Sequence, residues 1–234
     1  MSARHYTITL SLLAALAHTN LQAQPATLDK LVEQGQYWQS RGDHKRASEI
    51  WDKLLMAQPN NPNALYGLAL AALDADDQAT AQRYLAQLRQ SAPNDPLIPQ
   101  LEQDIHLAQP GPAATLSKAR GLTAARQMDE AIAAYDSALQ GKKPLGPLAL
   151  EYYNFLGYTD EGWGRAVQGL KELQRKSPSN AVYQLTLARH LSRQQQTRLE
   201  GIDMLRKLST RKEVASEATD AWRMTLVLPV QSNV

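Results

Sequence analysis

LDKLVEQGQYWQSRGDHKRASEIWDKLLMAQP, residues Leu28 to Pro59, lines up without a gap on PNALYGLALAALDADDQATAQRYLAQLRQSAP, residues Pro62 to Pro93, at an offset of 34 residues. Leu31, Gly35, Ala47, Trp51, Leu54 and Pro59 fall opposite Leu65, Ala69, Ala81, Leu85, Leu88 and Pro93. Within each copy the large apolar residues recur at the spacing of one helix face. Arg41-Gly42-Asp43 breaks the first copy into two short helices. Small residues at Gly35, Ala47, Ala69 and Ala81 stand where paired helices approach most closely. The prolines stop the second helix, because proline cannot continue the hydrogen-bond ladder. No such unit buries its apolar face alone, so stability must come from stacking on neighbours.

The period continues outward. A third unit runs from about Ala113 to Lys143, carrying Ala119, Leu122, Ala131, Tyr135 and Ala138 before Pro144. A fourth carries Leu150, Tyr153, Ala166, Leu170 and Leu173 and closes on Pro178, 34 residues after Pro144. A fifth carries Leu187, Ala188, Leu191, Gly201, Leu205 and Leu208, with one extra loop residue and Gly201 in place of alanine. Between the second and third units lie about 16 surplus residues, in which Leu97, Leu101, Ile105 and His106 predict an extra helical piece. Gln109-Pro110-Gly111-Pro112 ends it, and residues 110–112 are the expected hinge between residues 24–109 and residues 113–234. This spacing and residue set resemble the tetratricopeptide repeat family. The resemblance implies an all-α fold, a right-handed α-solenoid of helix–turn–helix repeats.

Residues 1–23 read as a secretory signal: Arg4 and His5 form a positive start, Ile8 to Ala17 is uncharged, and Leu21-Gln22-Ala23 precedes the expected cut. Ala15-Leu16-Ala17 is a second cleavage motif, and an uncleaved amphipathic terminus is the alternative reading. The stretch is shorter than a membrane span, and no other segment has the roughly 18 uninterrupted apolar residues that one needs. The mature chain is therefore expected in the periplasm, with no transmembrane segment.

There is no cysteine, which excludes disulfides, a thiolate nucleophile and zinc–thiolate sites. Charge is uneven beneath a formal net of +2. Asp29 to Asp104 carries seven Lys/Arg against eleven Asp/Glu, whereas Arg165 to Lys212 carries eleven against three. The basic stretch is either a solvated helix face or an electrostatic patch for an anionic partner.

Closer features mark the fourth and fifth repeats: Pro147-Leu148-Ala149-Leu150-Glu151-Tyr152-Tyr153, Gly162-Trp163-Gly164-Arg165-Ala166, Leu170-Lys171-Glu172-Leu173, Leu185-Thr186-Leu187-Ala188-Arg189 and Glu200-Gly201-Ile202. Together with the secreted, broken repeat array they resemble the amino-terminal periplasmic repeat region of the C-subunit family of bacterial cellulose synthases, from about Leu28 to Trp222. The resemblance implies a scaffold that bridges from the inner-membrane synthase towards an outer-membrane exporter. Protein partners of the synthase complex are the expected contacts, with glucan or peptidoglycan as further ones and nucleic acid excluded. The chain reaches Val234 without the alternating strands of a barrel, so only the scaffolding role carries over. A generic periplasmic adaptor that captures a peptide is the alternative.

Catalytic chemistry finds no motif. His5, His18, His44, His106 and His190 are isolated, without metal-ligand spacing. Gly162-Trp163-Gly164 lacks the remainder of a phosphate loop, and Asp74, Asp76 and Asp77 lack the glycine and distal glutamate of a calcium loop. The chain is therefore expected to be no enzyme, with no cofactor, metal or catalytic residues. In solenoids of this type the first helix of each repeat lines the groove. By position that face includes Tyr66, Leu70, Arg120, Tyr152, Phe155, Tyr158 and Arg189, and the candidate groove-binding set is Tyr66, Arg120, Tyr152, Tyr158 and Arg189. The aromatics either stack on sugars or partner side chains, or pack against the neighbouring repeat. Trp38, Trp51, Trp163 and Trp222 are read as packing.

Overall fold

The computed structural model describes residues 25–227. The expected signal segment lies outside them. Among the described residues there are twelve α-helices and no strand. The first repeat is α1 (Pro25–Ser40) with α2 (His44–Ala57), and the second is α3 (Pro62–Asp74) with α4 (Gln78–Ser91). The unpaired α5 (Leu97–Leu107) follows. Three more pairs are α6 (Pro110–Ala124) with α7 (Met128–Ala138), α8 (Gly146–Leu156) with α9 (Trp163–Lys176), and α10 (Ala181–Leu191) with α11 (Arg198–Leu208). A single 3-10 turn, Gln195–Thr197, takes up the extra loop residue of the fifth repeat. A further helix, α12 (Ala215–Thr225), packs on α11 and was not anticipated from the repeat pattern.

The turns explain the boundaries. Asp43, Asn61, Asp77 and Asn180 each cap the following helix by accepting backbone N–H groups from its first turn. Asp77 is thus a cap, while Asp74 Oδ2 lies 2.7 Å from His44 Nδ1 of the preceding repeat. Gly42, Asp76 and Arg126 all adopt a positive φ, 71°, 58° and 60°, at the same place in three successive repeats. Gly42 does so without a Cβ penalty, whereas Asp76 and Arg126 do so at a cost.

Every small residue of the expected register is buried. Ala47, Ala81, Ala131 and Ala166 lie at the helix contacts. Gly201 lies so deep in the α10–α11 contact that a Cβ would come 2.8 Å from the carbonyl of Ala188 and overlap the backbone nitrogen of Ser192. A side chain of any size would therefore press on the α10 backbone at this position. Apolar clusters follow one another along the chain, each spanning the joint between a repeat and the element stacked on it. Ala47, Trp51 and Leu54 meet Ala64 and Leu68, and Leu65, Leu85 and Leu88 meet Leu101 and Ile105. Tyr135, Tyr152, Phe155 and Leu187 share a third cluster, and Leu185, Leu205 and Ala218 a fourth.

At the expected hinge the chain turns between helices, but the turn is earlier than residues 110–112. Pro110, Gly111 and Pro112 form the first turn of α6, where proline is tolerated because its missing N–H would be unpaired anyway. Only Ala108 and Gln109 lie between the helices. α5 is held on both sides. Tyr66 Oη donates to Asp104 Oδ2 at 2.8 Å, and Gln100 Nε2 donates to Tyr66 Oη at 2.6 Å. Towards the later repeats, Gln103 accepts from the Leu145 N–H at 2.9 Å and donates to its carbonyl at 3.2 Å, and His106 Nε2 donates to the Ala138 carbonyl at 3.1 Å.

Candidate functional site

The first helices α6, α8 and α10 present a polar row that crosses three repeats. On α8 nearly every side is apolar and buried: Leu148, Ala149, Tyr152, Tyr153, Phe155 and Leu156. What remains outward is one stripe, Glu151, Asn154 and, just past the helix end, Tyr158. These stand at i, i+3 and i+7, on a single face.

From α6, Arg120 reaches this stripe with a two-pronged contact: Nε to Glu151 Oε1 at 2.8 Å and Nη2 to Oε2 at 2.9 Å. Glu151 Oε1 also accepts from Tyr135 Oη at 2.8 Å. Burial would raise the Glu151 carboxyl, but the Arg120 and Tyr135 hydrogen bonds outweigh it and hold it below the ordinary range. Burial first, and then the Glu151 carboxylate, pushes the Tyr135 phenol up to about 12.

From α10, His190 enters beneath the stripe. It is fully buried, and its Nε2–H donates to Asn154 Oδ1 at 3.2 Å. Its Nδ1 faces Gly157 without a hydrogen-bond partner among the described residues. Desolvation, with the Arg193 charge nearby, lowers its pKa to about 4, so the ring is neutral near pH 7. Tyr158 meets the His190 ring edge-on, centroids 4.8 Å apart, and the Arg193 guanidinium lies 4.5 Å from the Tyr158 centroid. Arg193 also donates to the Gly157 carbonyl at 3.2 Å. Further along, Arg189 donates to the Glu217 carbonyl on α12 at 3.4 Å.

Of the five residues read from sequence as groove-binding, Arg120, Tyr158 and Arg189 lie along this row. Tyr158 is 50% exposed. Tyr66 belongs elsewhere, half-buried between α3 and α5. Tyr152 is corrected: it is 4% exposed and belongs to the core. Its ring meets Tyr135 edge-on at 5.5 Å, and its hydroxyl donates to Asp136 and accepts from Arg165. Phe155 is buried likewise. The packing alternative accounts for these two, whereas Tyr158 packs on His190 of the next repeat and still keeps half of its surface exposed. Glu151, Asn154, His190 and Arg193 were missed, although Asn154 and Tyr158 are the polar positions one helical turn apart in an otherwise apolar segment. Trp51 is buried as read, and Trp38, Trp163 and Trp222 pack at the edges of their clusters.

A shallow depression of about 630 Å³ lies elsewhere, lined by Asn60, Arg83, Ala86, Gln87, Gln90 and Ser91. It holds none of the candidate residues and no acid–base pair.

No family model matches the chain. Cellulose synthase operon protein C of Pseudomonas fluorescens (strain SBW25) is 41% identical over 226 residues, 96% of this chain. The protein of the same name from Xanthomonas axonopodis pv. citri (strain 306) is 39% identical over 92% of the chain. The chain spans only 18% and 14% of the length of these two relatives. A solved structure, the flexible tandem repeat domain of the C component of bacterial cellulose synthase, covers 88% of this chain and 85% of its own with a TM-score of 0.64 at 24% identity. That likeness extends to the fold: a right-handed α-solenoid of tetratricopeptide type.

Proposed function

We propose, from the premise that this chain is a repeat-region homologue of the cellulose synthase operon protein C family, that it is a non-catalytic scaffold of cellulose synthesis. In this reading it works in the periplasm and links the inner-membrane synthase towards the outer-membrane exporter. The supporting observation is the polar row Arg120–Glu151–Asn154–Tyr158–Arg193–Arg189. It runs across three stacked repeats, and most of its members are anchored by hydrogen bonds to neighbouring helices rather than gathered in a pocket. Such a surface suits an extended partner. Among the shifted titratable groups, Asp104, Glu151 and His190 are each tied into contacts between helices, which supports a binding role. No described helix is long and apolar enough to cross a membrane.

The test is site-specific photo-crosslinking of the full chain in cellulose-producing cells. Probes at positions 154 and 189 should give adducts with proteins of the synthase complex, and a probe at position 83 on α4 should not. Adducts confined to unrelated polypeptides would favour a generic adaptor and overturn the synthase assignment. Location is tested separately by an alkaline phosphatase fusion, which should be active only when residues 1–23 are present.

A further inference from the structure

We infer that Tyr158, with Asn154 and Arg193 beside it, forms a stacking subsite for a β-linked glucan chain. The inference rests on the cellulose-synthesis reading above and adds to it a ligand and the atoms that hold it. A pyranose ring offers an apolar C–H face and a rim of hydroxyls. It is recognised by an aromatic face with hydrogen-bonding groups at its edge.

Tyr158 meets the first requirement. The neighbouring aromatics Tyr135, Tyr152, Tyr153 and Phe155 are buried, while Tyr158 keeps half its surface exposed. Arg193 lies over the ring and His190 meets it at a steep angle, which fixes its place while half of its surface stays exposed. Asn154 meets the second. Its Oδ1 is taken by His190 Nε2–H, and its Nδ2 has no partner among the described residues. The two amide donors are therefore held on the same stripe as the tyrosine, one helical turn away. His190 is wholly buried, so this orientation is built from beneath and not left to a mobile surface group. Arg193 spends Nη1 on the Gly157 carbonyl, and its guanidinium carries further N–H groups beside the ring.

Charges of both signs stand along the stripe. Asp160 and Glu161 follow Tyr158 in the same turn, and Arg120 is already matched by Glu151. The surface is thus polar but locally balanced, as a neutral polyhydroxyl chain requires. From Glu151 to Tyr158 the stripe runs for about 10 Å, long enough for more than one sugar ring.

The experiment titrates the full chain with cellohexaose, followed by ligand-observed NMR, with maltohexaose as the α-linked arm. Wild type should bind cellohexaose weakly, and maltohexaose at least several-fold more weakly. Tyr158→Ala should weaken cellohexaose binding roughly tenfold, Tyr158→Phe should leave it within about threefold, and Asn154→Ala should weaken it measurably. Tyr37→Ala, an exposed aromatic in the first repeat, should leave it unchanged. Melting curves on each variant confirm folding, and the Phe variant keeps the test open should the Ala variant unfold. Absence of cellohexaose binding, equal maltohexaose binding, or equal losses in Tyr158→Ala and Tyr37→Ala would each overturn the subsite. Crosslinking to proteins of the synthase complex by the same Tyr158→Ala protein separates the two ideas: it persists if only the subsite fails and is absent if the scaffold reading fails.

Discussion

The backbone of Gly67 on α3 lies so close to the indole of Trp51 on α2 that a methyl group at residue 67 would overlap Trp51 Nε1. Gly35 approaches the other end of the same ring, where a Cβ would come 2.5 Å from Trp51 Cη2. Trp51 is 1% exposed and its Nε1 donates to Gln39, so the ring has no room to yield. Gly67→Ala should therefore destabilise the chain by about 1–3 kcal/mol through overpacking. At Gly121 on α6 an added methyl would meet nothing within 4 Å, and Gly121→Ala should stabilise by about 0.5–1 kcal/mol. Denaturant melts of the two variants should shift in opposite directions, and a shift of the same sign in both would refute the packing argument.

Two buried titratable groups should give the stability a structured dependence on pH. His190 is held near pKa 4 against an ordinary 6.5. Between those values the unfolded chain binds the proton more readily, so stability falls as pH drops from 6.5 towards 4. Asp104 is the reverse case, raised by burial to about 6 despite the hydrogen bond from Tyr66. Between pH 3.8 and 6 the folded chain holds the proton more tightly, so this carboxyl contributes stability at low pH that is lost as pH rises through 6. Asp104→Asn keeps an acceptor for Tyr66 without the charge. It should be more stable than wild type at pH 7 by about 1–2 kcal/mol, allowing for partial solvent screening. The gain should vanish near pH 4. A destabilised Asp104→Asn at pH 7 would show that the charge is favourable in place.

How much of this was legible in the sequence depends on what each residue faces. The 34-residue offset located the first two repeats because Gly35/Ala69, Ala47/Ala81 and Trp51/Leu85 occupy equivalent packing positions. Leu97, Leu101 and Ile105 marked α5 for the same reason. The helix break was placed too late because Pro110 reads as a breaker and equally well as the first residue of a helix. α12 escaped notice because Ala218 is the principal buried apolar residue within it, and one alanine makes no period. The face of α8 was misjudged by one position: with apolar residues on most sides, the spacing of Tyr152, Phe155 and Tyr158 could not tell core from surface. The polar residues Glu151 and Asn154 carried that information. His190 and Arg193 depend on contacts with α8 across 36 residues of sequence, which no local pattern reports.

Gln103 should control how freely the two halves of the array move. Its side-chain amide makes both hydrogen bonds to Leu145, and Gly146 follows with φ of 57° against the side chain of Gln100. Only Ala108 and Gln109 separate α5 from α6, so loss of this clasp should let the link flex. Small-angle scattering on Gln103→Ala should show a broader distribution of maximum dimensions than wild type, with unchanged helix content by circular dichroism. Superimposable scattering curves would show that the Ala108–Gln109 link is rigid by itself.

Arg120 and Arg189 both stand on first helices of the later repeats, yet their exchange for glutamine should have different costs. Arg120 engages both oxygens of Glu151, which also receives the hydroxyl of the buried Tyr135. Removing the guanidinium leaves a half-buried carboxylate with one remaining hydrogen bond. The pair is more than a third exposed, so the loss is that of a well-formed surface pair, about 1 kcal/mol. Arg189 makes one long contact of 3.4 Å to the Glu217 carbonyl, and its exchange should stay within about 0.5 kcal/mol. A double-mutant cycle decides the cause. Arg120→Gln combined with Glu151→Gln should cost less than the sum of the single changes, because each single change strands the other's partner. Additive costs would mean that Arg120 stabilises the array through its aliphatic stem and not through Glu151.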